Sequence, residues 1–519
     1  METVHVFRGD SNHFAMFPDW LRKICFILFL LFSSICHVIS QHEVLKRGGN
    51  GKPRADSARQ RRSLASNPVG LQTGNLVMGV PTSSSITASV VLNDGAEAYV
   101  EYSLDSQKLD RKTRTFAGES NRPVEISISN LRASSRYFYR LAYRLPSADD
   151  FHYSGISWFS TQKDKETTFS FGVQGDSHPE RTGKMFNPVL YRRNFENVSI
   201  RKPDFYFLMG DDFNIDRFIS APKENAWQIE QAYVRQRAFV GTIGLNPPLF
   251  LVNGNHEQTA RYLLDGTPHS APVIAAHARD KYFPMPVPGK FYSGDRKVVD
   301  NIGLLKDYYA FEWGNALFVV IDPYWHSEIA VDGKPSEQGG KAKRDQWGIT
   351  IGNEQYDWLK KTLEGSRAKF KFVFAHHVNG TGRGGVERAK YFEWGGYGQN
   401  NEWQFDKYRS GWALPIHQLF VKNHVTIFFQ GHDHLFAKQE LDGVIYQTVP
   451  NPADDTHTAF NREAYSVGEI LPNSGFLHVT VSANETTVEY VRAYLGGDGL
   501  PGDAVAKNHV YSVRKQARE

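Results

Sequence analysis

Two textures of apolar and polar positions divide most of this chain. Over residues 66–162 the apolar runs are short and alternate in twos: SITASVVL, AEAYVEYSL, VEISISNL and RYFYRLAYRL. Successive side chains of a strand point to opposite faces, so this period predicts half-buried strands. Turn residues separate the runs, among them Asn93-Asp94-Gly95 and Ser134-Ser135. The pattern predicts a small antiparallel all-β sandwich. Within it, NLRASSRYFYRLAY leads a leucine through a Ser-Ser turn into a tyrosine-rich strand.

From about residue 167 the apolar runs are longer: TFSFGVQ, DFYFLMG, PPLFLVNG, ALFVVID, KFKFVFA, VTIFFQG and GVIYQTV. Helical patterns lie between them, WQIEQAYVRQRAFVGTIG and NEQYDWLKKTLEGSR, the second repeating Tyr356, Leu359 and Leu363 at helical spacing. This alternation predicts an α/β layered domain over residues 166–495. Its last strands, GFLHVTVSA and TTVEYVRAYL, are joined by a short Asn-Glu turn and read as antiparallel. Residues 259–307 and 380–412 read as long loops that wall a cleft and set substrate choice. Residues 496–519 read as a loose tail.

The N-terminus has a third texture. Arg22 and Lys23 precede the apolar run ICFILFLLF, and small and polar residues follow, with Val38 and Ser40 at the −3 and −1 positions of a signal-peptidase site. A signal peptide over residues 1–40 is expected. The run is shorter than the roughly 20 residues a spanning helix needs; an uncleaved anchor is the alternative. The expected location is secreted, periplasmic or cell-surface, with no stable membrane span after cleavage. Residues 41–65 carry seven Lys/Arg against two Asp/Glu and no periodic apolar residues, as a flexible basic linker does. Residues 66–519 sum to a charge of −1. That near-neutral body gives no case for a nucleic-acid partner. Both cysteines, Cys25 and Cys36, lie in the segment expected to be removed. A cysteine nucleophile and a thiolate metal site are thereby excluded from the mature chain, leaving His, Asp, Asn and Glu as candidate ligands.

Five strands of the second domain end in polar clusters. They lead into GDSH (Asp176, His178), GDD (Asp211, Asp212), NGNHE (Asn255, His256, Glu257), His376-His377 and GHDH (His432, His434). The carboxyl ends of strands are where open α/β sheets bind ligands. Each cluster alone also reads as an ordinary turn with a surface histidine; five in succession do not. Carboxylate and imidazole without thiolate suit Mn, Fe or Zn. A carboxylate at a strand tip can bridge two ions about 3.5–4 Å apart, which then activate water and clamp phosphate oxygens.

GDSH, GDD, GNHE, VFAHH and GHDH, in that order, resemble the five-block signature of the calcineurin-like metallophosphoesterases over about residues 168–450. Before this unit, NLRASSRYFYRLAY resembles the late-strand region of fibronectin type III-like domains, where a leucine leads into a tyrosine corner, and such a domain ahead of this unit is similar to the order in purple acid phosphatases. The resemblance implies a two-sheet β-sandwich flanked by helices, and a dinuclear phosphoesterase in which a metal-bound hydroxide attacks phosphorus. It implies one ion held by Asp176, His178, Asp211 and His434. It implies a second held by Asp211, Asn255, His376 and His432, with Asp211 as bridge. His256 would stabilise the transition state or protonate the leaving group. Spacing from Val373 favours His376 over His377 as ligand. Asp212 reads as an outer hydrogen-bond partner or a turn residue. His377, Arg383, Arg388 and His457 are candidates for holding a small-molecule phosphate ester. A monoester is favoured, with a diester or nucleotide as the alternative. A non-catalytic exported binding protein is the alternative of another class, and the complete ligand set counts against it. One departure matters. Purple acid phosphatases carry G-D-x-x-Y, whose tyrosine gives the colour, and here that place holds Asn214; they have glycine where this chain has His178. A colourless enzyme is expected.

Overall fold

The strand Phe205–Leu208 is buried at every residue, because both of its faces are covered. Phe205 and Phe207 point into one apolar cluster and Tyr206 and Leu208 into another. The computed structural model describes residues 72–119, 122–242, 247–329, 346–378, 382–495 and 509–514. The expected signal peptide (1–40) and linker (41–65) lie outside the described residues, as do residues 496–508 and 515–519.

Two large sheets face each other. In the first, the parallel strands Phe169–Gln174, Phe205–Leu208 and Leu249–Leu251 lie side by side. On one flank Gly475–Val481 and Glu485–Arg492 extend it antiparallel. In the second, Ala316–Val320, Phe370–Phe374, Ile427–Gln430 and Val444–Thr448 run parallel. Their inner faces meet in an aromatic core of Phe171, Phe205, Phe207, Phe318, Phe372, Phe374 and Phe429. Phe207 of one sheet stacks on Phe374 of the other at 4.2 Å between centroids. Burial of aromatic area of this kind dominates core energetics.

Helices cover the outer faces. Pro188–Arg201, Ala226–Thr242 and Ala271–Tyr282 pack on the first sheet. Gly352–Gly365 and Ile416–Lys422 pack on the second. The architecture is α-β-β-α, preceded by an N-terminal β domain. Helix Pro188–Arg201 opens on Asn187, whose Oδ1 accepts from Val189 N at 2.9 Å and Leu190 N at 3.3 Å. Asn187→Ala is expected to cost about 1 kcal/mol, measured as a lowered denaturation midpoint.

The N-terminal strands pack around Val100, Tyr137, Tyr139 and Phe159. Tyr137 OH accepts from Arg132 N at 2.8 Å, the bond a tyrosine corner makes. One of the two sheets of this sandwich does not end within it. Leu76–Gly79, Ile86–Val90 and Val124–Ile128 continue the first large sheet, through a parallel pairing of Gly79 with Leu249. Buried Arg237 pins the junction, donating to the carbonyls of Ser89 (2.6 Å), Asn75 (3.5 Å) and Tyr282.

Three expectations are corrected. The stretch 259–307 holds the helix Ala271–Tyr282: Pro272 lies in its first turn, where a missing N–H is harmless, so this proline starts a helix rather than marking a loop. Residues 382–412 contain the short helices Phe392–Gly395 and Phe405–Tyr408 and build Trp394 into the outer core of the second sheet. Within the expected tail, His509–Arg514 pairs with Glu485–Arg492, because Tyr511 and Val513 alternate onto the aromatic core. No helix among the described residues is long and apolar enough to cross a membrane.

Candidate metal centre

The five polar clusters follow parallel strands whose ends are in register, Gln174 with Leu208 and Leu208 with Leu251 in one sheet, Phe374 with Phe429 in the other. The side chains therefore gather at one edge of the sandwich. Among the described residues, Asp176, Asp211, His376 and His432 form one group of mutually close donor atoms. Asp176, His178 and His434 form a second, and His178, Asp211 and His256 a third. Asp176 Oδ2 lies 3.1 Å from His434 Nε2 and 3.8 Å from His376 Nε2. Asp211 Oδ2 lies 3.2 Å from His376 Nε2 and 3.6 Å from His178 Nε2, between two histidine pairs, His376 with His432 and His178 with His434. His178 and His434 bring their Nε2 atoms to 3.1 Å.

The backbone is bent to achieve this. His178, Asp211, His432 and His434 all have left-handed φ, between 47° and 69°. Non-glycine residues adopt this region at a cost, and such residues concentrate at functional sites. Glycines make the approach possible: a Cβ on Gly254 would collide with Asp211 Oδ1, and one on Gly431 with Asp176 Oδ1.

Ring orientation is fixed from behind. His376 Nδ1 donates to Met209 O at 2.8 Å, and His178 Nδ1 to Glu180 Oε1 at 2.9 Å. Each Nε2 is thereby turned inward, the arrangement that orients metal-ligating imidazoles. Glu257 gathers the turns, accepting from the N–H groups of Gly254 (2.6 Å), Asp211 (3.0 Å), Asp212 (2.9 Å) and Phe213 (2.9 Å). Asp212 faces away from the cluster: its Oδ1 accepts from Ser177 Oγ at 2.5 Å and Gln236 Nε2 at 3.0 Å. Burial, with Glu257 nearby, lifts its carboxyl well above the usual range. The two acids of GDD thus have opposite environments. Burial opposes charge on Asp176 and Asp211 as well, but the surrounding histidines together outweigh it, His376 and His434 for Asp176 and His376, His256 and His178 for Asp211, and both are held low, Asp176 at about 2.

His256 sits at the open side of the cluster. Its backbone N donates to Asp211 Oδ1 at 3.0 Å, and its Nε2 lies 3.7 Å from Asp211 Oδ2. Its Nδ1 is held by Asp216, whose Oδ1 also accepts from Gln258 Nε2 at 2.7 Å. Burial works against a charge on this ring, but Asp211 and Asp216 lift it to about 9. Asn214 turns its side chain to Asp216, accepting from Asp216 N at 3.2 Å. Asn255 Oδ1 is a buried acceptor without a hydrogen-bond donor.

The candidates for holding substrate separate. His377 is buried against Tyr324 and His432, with ring centroids at 5.6 and 5.0 Å. Burial, and then His376, push it down to about 3, so it stays neutral. Arg388 donates its Nε to Arg383 O at 2.6 Å and so shapes that turn. Arg383 donates to His432 O at 2.6 Å and Asp433 Oδ1 at 3.2 Å and keeps its side chain 40% exposed. His457 rests against Asn473 O and the ring of Tyr494. Sequence reasoning missed Glu180, Arg181 and Asp216. All three lie within six residues of a cluster, and a polar residue just beyond a histidine or aspartate block was the available signal.

The sequence model for calcineurin-like phosphoesterases matches residues 169–436. A comparison with curated proteins gives no match. Among solved structures, the chain is similar to PhoD, with a TM-score of 0.55 at 14% identity, covering 86% of this chain and 90% of that one. It is also similar to the purple acid phosphatase PPD1 from yellow lupin (Lupinus luteus) seeds, with a TM-score of 0.50 at 16% identity, covering 85% of this chain and 74% of that one. These likenesses share the two-sheet fold and the N-terminal β domain, and the family match spans all five clusters. The chain therefore belongs to the calcineurin-like phosphoesterase family, whose members are phosphoesterase hydrolases.

Proposed function

We propose that this protein is an exported phosphoesterase that holds two divalent ions and hydrolyses small phosphate monoesters. The observation that carries this reading is a buried cluster of two carboxylates, Asp176 and Asp211, and four imidazoles, His178, His376, His432 and His434, whose donor atoms lie close together. Buried charges persist only when paired or bound to a cation, so this donor set fits metal. Asp176, His178, Asp211 and His434 would hold one ion; Asp211, Asn255, His376 and His432 the other. When bound, such ions acidify water and neutralise charge on a transferring phosphoryl group.

The chain's own groups supply the rest. Asp211 fixes the spacing between the two histidine pairs. His256 presents Nε2 to the leaving-group oxygen and passes it a proton, while Asp216 holds Nδ1 and the ring's orientation. Arg383, on the rim, faces the phosphate; Arg388 and His377 support Arg383 and His432. Export is supported by the basic-then-apolar N-terminal run.

Ion analysis of the purified protein, with a panel of monoester, diester and nucleotide substrates, tests the reading. About two ions per chain and the highest kcat/KM on monoesters are expected. Absence of ions, or of hydrolysis across the panel, would overturn it. The same preparation is expected to show no strong visible charge-transfer band, because Asn214 stands where a phenolate ligand would be needed; a purple protein would contradict the reading of that position.

A further inference from the structure

The carboxylate and imidazole candidate ligands are buried and Asn255 is half-buried, while the side chains of His256 and Arg181 remain 20% and 30% exposed. Substrate therefore meets these two groups at the entrance. Arg181 Nη2 lies 3.1 Å from His256 Nε2. Arg181 Nε lies 3.3 Å from Glu180 Oε1, and the same oxygen accepts from His178 Nδ1. Arg181 Nη1 donates to Met185 Sδ at 3.2 Å. The guanidinium is thus oriented on one edge by a carboxylate, while its other donors meet, among the described residues, only a thioether, which is a weak acceptor, and an imidazole. A planar fork held in place with poorly satisfied donors beside a candidate phosphoryl site is prepared for a phosphate oxygen.

We propose that Arg181 is a substrate-binding residue. Its Nη atoms bind a non-bridging oxygen of the ester phosphate, across from the ligand cluster, and leave His256 Nε2 to the leaving-group oxygen. Glu180 is the positioning residue: through one carboxylate oxygen it fixes both Arg181 and the His178 ring, so phosphate grip and ligand geometry share a support. This role rests on the phosphoesterase reading, and it adds a phosphate contact from the first strand end to the one from Arg383.

The test is titration calorimetry with inorganic phosphate on the ion-loaded full-length protein, alongside ion analysis and steady-state kinetics. For Arg181→Gln, phosphate affinity is expected to fall at least about tenfold, with KM rising similarly and ion content unchanged. Arg181→Lys keeps the charge without the fork and is expected to recover part of the affinity. Wild-type phosphate affinity in Arg181→Gln would overturn the proposal. So would a loss of affinity in both variants that tracks loss of ions, which would make Arg181 a support for His178. If the wild-type protein binds phosphate through Arg181 yet hydrolyses no ester, this assignment stands and the phosphoesterase reading falls.

Discussion

Asp211→Asn is expected to lower turnover by roughly a thousandfold or more, about 4 kcal/mol of transition-state stabilisation, and to strip ions from the protein. Asparagine keeps the shape and the acceptor, so the bond from His256 N to Oδ1 survives and the turn stays folded. What it removes is charge at Oδ2, the oxygen 3.2 Å from His376 and 3.6 Å from His178. Asp176 Oδ2 also reaches both pairs, at 3.1 Å from His434 and 3.8 Å from His376, so it is the family pattern that assigns the bridge to Asp211. Ion stoichiometry and turnover should therefore fall together. Full ion content with wild-type turnover would remove Asp211 from the bridging position. Full ion content with slow turnover would keep the bridge as a catalytic element and assign ion retention to the remaining ligands.

The contrast with Asp212 shows how far the sequence could be read. Five strand ends were recognisable because a metal-competent residue follows each apolar run, with a glycine beside it in all but the His376-His377 block, and register in parallel sheets then forces those ends together. That Asp211 turns in and Asp212 out follows from chain direction at a left-handed residue, which spacing alone implies only through the family pattern. The parts that were not legible depend on contacts between distant segments. Glu257 was visible as a residue, but its four N–H donors come from two different turns. Asp216 and Arg181 meet His256 from segments 40 and 75 residues away. The parallel pairing of Gly79 with Leu249 is likewise silent in the pattern, since an edge strand reads the same whatever it pairs with. The helix Ala271–Tyr282 was hidden by its own starting proline.

His256 carries the second large effect. His256→Ala is expected to cost roughly 10²–10⁴-fold in kcat, with ion content unchanged, because its ring touches the cluster from the entrance side. The loss should depend on the leaving group. An aryl phosphate with an acidic phenol departs without help, whereas an alkyl phosphate needs a proton, so the alkyl substrate should lose more. Asp216→Asn should show the same order of substrates with a smaller loss, since the ring remains but its orientation and charge support at Nδ1 are weakened. The comparison separates two roles that the geometry alone allows. If both variants lose equally on aryl and alkyl esters, His256 acts by stabilising charge on the phosphoryl group and not by proton transfer. If Asp216→Asn is silent while His256→Ala is not, the ring is held in place by Asp211 and the Arg181 contact, and the carboxylate behind it serves the turn at Asn214 instead.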